Sequence, residues 1–111
     1  MKIKVEPTLK IGAVRVLVFY EDKLLDNHGK YGQARFAECE IALQNRDMAN
    51  DSKTQAFLHE VVHWLDHTYT SYSLDEKQTD ALATGLHILL DDLNVKLDFS
   101  EIKRNKKGDI K

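Results

Sequence analysis

The 111-residue sequence predicts an α+β domain, with a small N-terminal antiparallel sheet of about three to four strands packed on two antiparallel helices. Three observations predict it. Residues 1–49 are dense in β-branched and alternating stretches, and residues 51–94 carry two segments of helical periodicity. The chain is also too short for a second core, so one domain over residues 1–102 is expected. Residues 103–111, with five Lys or Arg against one Asp, read as a flexible basic tail.

Element by element, Ala13–Tyr20 has the β-branched and aromatic density of a buried strand. Asp26-Asn-His-Gly29 is a turn cluster and Gly32 a further backbone break. Two short strands follow, Gln33–Glu38 and Glu40–Gln44. In the second, Ile41 and Leu43 alternate with Glu40, Ala42 and Gln44, which predicts one dry and one wet face. A helix is expected from about Asp51 or Ser52 to about Thr68, capped by Asn50 or Asp51. Leu58, Val61, Val62 and Leu65 form its apolar side, flanked by Phe57 and Trp64; Gln55, His59, Glu60, His63, Asp66 and His67 form its polar side. After the polar loop Tyr69–Tyr72, Ser73-Leu-Asp-Glu76 has capping-box spacing and opens a helix over about Leu74–Leu93. Its buried stripe is read as Leu82, Leu86, Leu89 and Leu93, widened by Ala81, Gly85 and Ile88. Val95–Ser100 adds a short strand or lies along the core.

Composition narrows the function. With 42% hydrophobic and 31% charged residues the chain is an ordinary globular one. A net charge of −2 argues against a general nucleic-acid binder, the tail being the only basic stretch. The single cysteine, Cys39, cannot form an internal disulfide and reads as a small buried residue. No apolar run nears the roughly 20 residues of a membrane span. The opening MKIKVEPTLKIG lacks the apolar core of a signal peptide, so a cytoplasmic protein is expected.

The chemistry is concentrated in His59-Glu60-Val61-Val62-His63. Histidines at i and i+4 project from one helix face, so their imidazole nitrogens can converge on one ion. Zn2+ accepts such nitrogen ligands, and a catalytic zinc keeps three protein ligands and one open position. Glu60, beside the first histidine, is placed to take a proton from a water at that position. This is the HExxH arrangement of zinc peptidases.

A third ligand must come from another element. Glu76 and Asp80 lie at i and i+4 on the second helix and share a face with His87 and Asp91. The short connection makes the helices antiparallel neighbours, which brings Glu76 beside the last turns of the first helix. Glu76 is read as the third ligand, and Asp80 as the group that accepts the outer N–H of a ligating histidine. The competing readings are that Glu76 only closes the capping box with Ser73 and that Asp80 is merely solvated. His67 is roughly 12 Å along the axis from His59, too far to join the same ion. With Tyr69 and Tyr72 it is a candidate for lining the cleft or stabilising an oxyanion, and Trp64 is expected in the core.

Thr54-Gln-Ala-Phe-Leu-His-Glu-Val-Val-His63, followed by Asp75-Glu-Lys-Gln-Thr-Asp-Ala-Leu-Ala-Thr-Gly-Leu86, resembles the small zinc metallopeptidases of bacteriophages and mobile elements, relatives of the ImmA/IrrE-type metallo-endopeptidases. The resemblance covers about residues 30–94 and includes Gly32 and the strand around Ile41–Leu43. It implies a zincin-like minimal core with the thermolysin-like ligand order, His59, His63 and then Glu76. It further implies Glu60 as general base and a protein or peptide substrate. Larger members carry Leu-Leu-Met-Pro after the alanines of the second helix, where this chain has Leu86-His-Ile-Leu-Leu90.

The expected function is therefore a zinc-dependent endopeptidase, with the strand Glu40–Gln44 as the edge that pairs with an extended substrate. A non-catalytic, zinc-stabilised protein-interaction module is the alternative. A metal-free helical interaction domain is a third possibility.

Overall fold

The first 44 positions alternate strand formers with tight turns, and the chain folds accordingly. In the computed structural model, which describes residues 1–22, 24, 31–44 and 48–104, the strands are β1 (Lys2–Lys4), β2 (Thr8–Ile11), β3 (Val14–Glu21), β4 (Gly32–Arg35), β5 (Glu40–Gln44) and β6 (Lys96–Asp98). The helices are α1 (Asn50–Leu65), a π-helical turn over Asp66–Thr70, and α2 (Glu76–Asp92). The turn cluster Asp26–Gly29 and tail residues 105–111 lie outside the described residues. The α+β class read from the sequence holds, with a small sheet lying on two helices.

Two hairpins build the main sheet, in the order β2-β3-β5-β4. The first turns at Gly12, whose φ of 60° suits a residue without Cβ. The second turns at Cys39, which is half-buried and also left-handed at φ 57°. The hairpins join through β3 and β5, which run parallel with Leu17 opposite Glu40 and Glu21 opposite Gln44. The sheet is thus mixed rather than antiparallel throughout. β1 and β6 pair in parallel beside it, so the segment after α2 does form a strand.

Both faces of the main sheet are covered. Val16, Val18, Ile41 and Leu43 meet Phe57, Val62 and Trp64 of α1, whereas Phe19 and Ala42 pack with Leu24 on the other side. All five residues of β5 are consequently buried, and the wet face expected for Glu40, Ala42 and Gln44 does not exist. Arg35 answers the buried Glu40, with Nη1 3.6 Å from Oε1, while Nη2 reaches Glu21 Oε2 at 2.8 Å. Trp64 is buried as expected and donates its indole N–H to the Glu40 carbonyl at 3.2 Å.

The helices are antiparallel. Gln55 bonds Thr84 near one end of the pair, and His59 meets Glu76 and Asp80 near the other. Several local expectations are corrected. α1 is capped by Ala49 without a side-chain bond, because Asn50 donates instead to the Leu97 carbonyl at 3.1 Å. Asp66 is buried on what was read as the polar side. Its carboxylate accepts from the Thr70 hydroxyl and from the Leu74 amide, shaping the link between the helices. The capping box on α2 is Asp75 with Gln78, two positions beyond the Ser73–Glu76 box read from spacing.

The largest correction concerns α2. Leu82, Leu86, Leu89 and Leu93, read as its buried stripe, are 49%, 38%, 51% and 60% exposed, and Ile88 is 64% exposed. Thr79 and Ala83 are the buried positions instead. The reason is rotational. Glu76, Asp80, Ala83 and His87 form the stripe that faces α1, which turns the leucines about a third of a turn away. No helix among the described residues is long and apolar enough to cross a membrane.

Candidate metal centre

His59 and His63 are one turn apart on α1, and both side chains are about a quarter exposed, at 21% and 27%. Their Nε2 atoms lie 3.1 Å apart. Because the capping box belongs to Asp75 and Gln78, Glu76 is not consumed at the start of α2. Its Oε1 lies 2.6 Å from His59 Nε2 and 3.3 Å from His63 Nε2. On the far side of the ring, His59 Nδ1 faces Asp80 Oδ1 at 3.4 Å. An N–H directed at that carboxylate leaves the Nε2 lone pair turned toward Glu76 and His63.

With His59 in that tautomer, three ligand atoms face one another, an arrangement that a cation relieves. Ligands about 2.05 Å from a tetrahedral zinc are about 3.3 Å from one another. The edges His63–Glu76 and His59–His63 match that spacing, and the His59–Glu76 edge is contracted to hydrogen-bond length. Burial holds the His63 imidazole below the ordinary histidine range, Glu76 opposing this and His59 adding to it. That favours the neutral, ligating form. The donor set fits zinc.

Glu60 is placed by packing. It is only 6% exposed, against the polar-side placement read from the wheel, because β4 lies over it. A Cβ at Gly32 would be 2.9 Å from Glu60 Cγ and 3.0 Å from Oε2, so the strand approaches this closely only through a glycine. His59, His63, Glu60 and Glu76 line a cleft of about 1080 Å3, walled on the other side by Tyr31, Gly32, Gln33, Ala34 and Phe36. β4 has β5 as its only strand neighbour among the described residues. The edge at the cleft is therefore β4, and not β5 as expected, since β5 is paired on both sides. Gly32 was legible in the sequence as a backbone break; its contact with Glu60 was not.

The structure does not bring His67, Tyr69 and Tyr72 into this cleft. His67 stacks on Phe36 with centroids 4.2 Å apart, and Tyr72 packs edge-on against both rings, behind the cleft wall. Tyr69 turns away and accepts the Gly12 amide at 3.1 Å. The π-helical turn after Leu65 carries His67 and Tyr69 off the register of α1. At the opposite end of the helix pair, Asp51, His87 and Asp91 form a second group of potential ligands. The Lys96 ammonium already lies 3.4 Å from Asp91 and 4.0 Å from Asp51, supplying the positive charge there.

Comparison with known protein families, with curated proteins and with solved structures finds no match to this chain.

Proposed function

We propose that the chain is a zinc-dependent metallo-endopeptidase of the phage or mobile-element type, acting on a protein or peptide substrate in the cytoplasm. The observation that carries the reading is the convergence of His59, His63 and Glu76 beside a buried Glu60, at a cleft bounded by a sheet edge. His59, His63 and Glu76 hold the metal, and Asp80 fixes the tautomer of His59. Zinc in this position supplies Lewis acidity toward a peptide carbonyl and lowers the pKa of water toward about 7. Glu60 takes the proton of the attacking water as its oxygen bonds to the carbonyl carbon. It then delivers that proton to the amine as the C–N bond breaks. The outer edge of β4 aligns an extended substrate through main-chain hydrogen bonds.

Metal content tests the site and Glu60 tests the chemistry. Purified wild type is expected to carry zinc and His63→Ala to lose it; equally low zinc in both overturns the assignment. Glu60→Gln is expected to keep zinc but release no new peptide termini from a denatured protein mixture.

A second reading, a non-catalytic zinc-stabilised interaction module, is favoured by one observation. The three ligands come from two helices, so an ion would staple α1 to α2. An unchanged biological effect of Glu60→Gln would select that reading.

A further inference from the structure

The two faces of the Phe36 ring have different surroundings. On one, the His67 imidazole lies parallel to it, with centroids 4.2 Å apart and 6° between the planes. Trp64 and Tyr72 meet Phe36 edge-on, at 5.0 and 5.8 Å. Both also lie close to His67, at 5.7 and 5.0 Å. A ring stacked on the far face of Phe36 would instead be roughly 8 Å from His67, two stacking distances away. Trp64 and Tyr72 therefore flank the stack, and no ring among the described residues covers the far face of Phe36. That face belongs to the cleft, which Phe36 lines while His67, Trp64 and Tyr72 do not.

We propose that Phe36 determines specificity: its cleft face stacks on an aromatic side chain of an extended peptide, and His67 is the positioning residue that holds Phe36 from behind. The inference rests on the peptidase reading, in which the edge of β4 brings the peptide to this wall. Gly32, Ala34 and Phe36 follow at intervals of two and so share one side of the strand. The first two are small, which leaves the Phe36 ring uncrowded by its own strand. Beyond His59, Glu60, His63 and Glu76, no charged side chain among the described residues lines the cleft, so it suits a neutral, flat group. A substrate ring there completes a stack of three, and offset stacking adds to what apolar burial alone supplies. Gly32 lies against Glu60 and Phe36 against His67. The recognised side chain therefore sits to one side of the scissile bond, up to roughly 13 Å along the strand from the general base.

Binding without turnover tests this. Capped alanine hexapeptides carrying one phenylalanine, cyclohexylalanine or leucine are titrated by NMR into the Glu60→Gln chain supplied with Zn2+. Cyclohexylalanine resembles the phenyl side chain in size and apolarity but has no π-system, so it separates stacking from the filling of space. The phenylalanine peptide is expected to bind about 5-fold tighter than the cyclohexylalanine peptide and to move the Phe36 ring protons upfield. Phe36→Leu is expected to abolish that ratio, His67→Ala to lower it and His67→Phe to restore it, with zinc content unchanged in all three. Equal affinity for the two peptides, no binding by any of them, or a ratio indifferent to Phe36→Leu overturns the proposal. The peptidase reading fails separately: a wild type that binds the aromatic peptide selectively yet never cuts it sinks that reading and leaves the stacking site standing.

Discussion

Gly32 and Glu60 meet so closely that a methyl group on the first would lie 2.9 Å from Cγ of the second. The contact ties the edge strand to the carboxylate on which the proposed chemistry depends. Gly32→Ala is therefore expected to displace Glu60 while leaving the three metal ligands in place. Displacement of a reacting group by about 1 Å costs about 100-fold in rate. Peptide hydrolysis should fall by that order with zinc content unchanged, as measured by activity alongside metal analysis.

Asp80 reaches the metal site only through His59. Removing such an outer carboxylate typically weakens metal binding by about 10–100-fold. Asp80→Ala should show that loss in competition with a chromophoric chelator. Lys77→Ala, on an exposed neighbouring position of α2, should leave affinity unchanged.

Burial keeps the His63 imidazole below its ordinary range, so the unfolded chain binds a proton that the folded chain refuses. The stability this contributes is fully present above about pH 6.5, the unfolded value, and is lost as pH falls through the depressed folded value. Thermal melts in the presence of chelator should decline across that window, and His63→Gln should flatten the decline.

Arg35 is a cation that faces the buried Glu40. Its own charge is stabilised chiefly by the hydrogen bond to Glu21, which holds the guanidinium pKa above its ordinary value. Arg35→Met removes that cation from both Glu40 and Glu21, and denaturant unfolding should show a loss of about 2 kcal/mol.

The start of α2 offers a sharper comparison. Asp75→Ala removes the cap that accepts the Gln78 amide at 2.7 Å and should cost about 1 kcal/mol, whereas Ser73→Ala should cost almost nothing. Melting temperatures of the two variants, measured side by side, decide it.

What could be read from the sequence was what depends on short spacing. Histidines four apart on a helix face one another whatever surrounds them, so His59, His63 and the approach of Glu76 were legible. The helix pair and the buried Trp64 were legible for the same reason. What failed depended on partners distant in sequence. The burial of Glu40 and Gln44 follows from insertion of β5 between β3 and β4, which no local alternation encodes. Leucines at helical spacing identify an apolar stripe but not the direction in which the helix will turn it. The choice between Ser73 and Asp75 as cap rested on one turn of backbone, shaped by Asp66 from the preceding helix. His67 and Tyr69 were misplaced because a π-helical turn shifts the register beyond Leu65.

The parallel seam between β3 and β5 divides the molecule in time as well as in space. Each hairpin closes over a few residues and forms within microseconds. Uniting them requires Leu17 to find Glu40 across a much longer stretch of chain, which is the slower event. The donors His59, His63 and Glu76 all belong to the later-synthesised side of that divide. A divalent cation held by them would staple the helices to each other and leave the joining of the two hairpins to the sheet's own contacts.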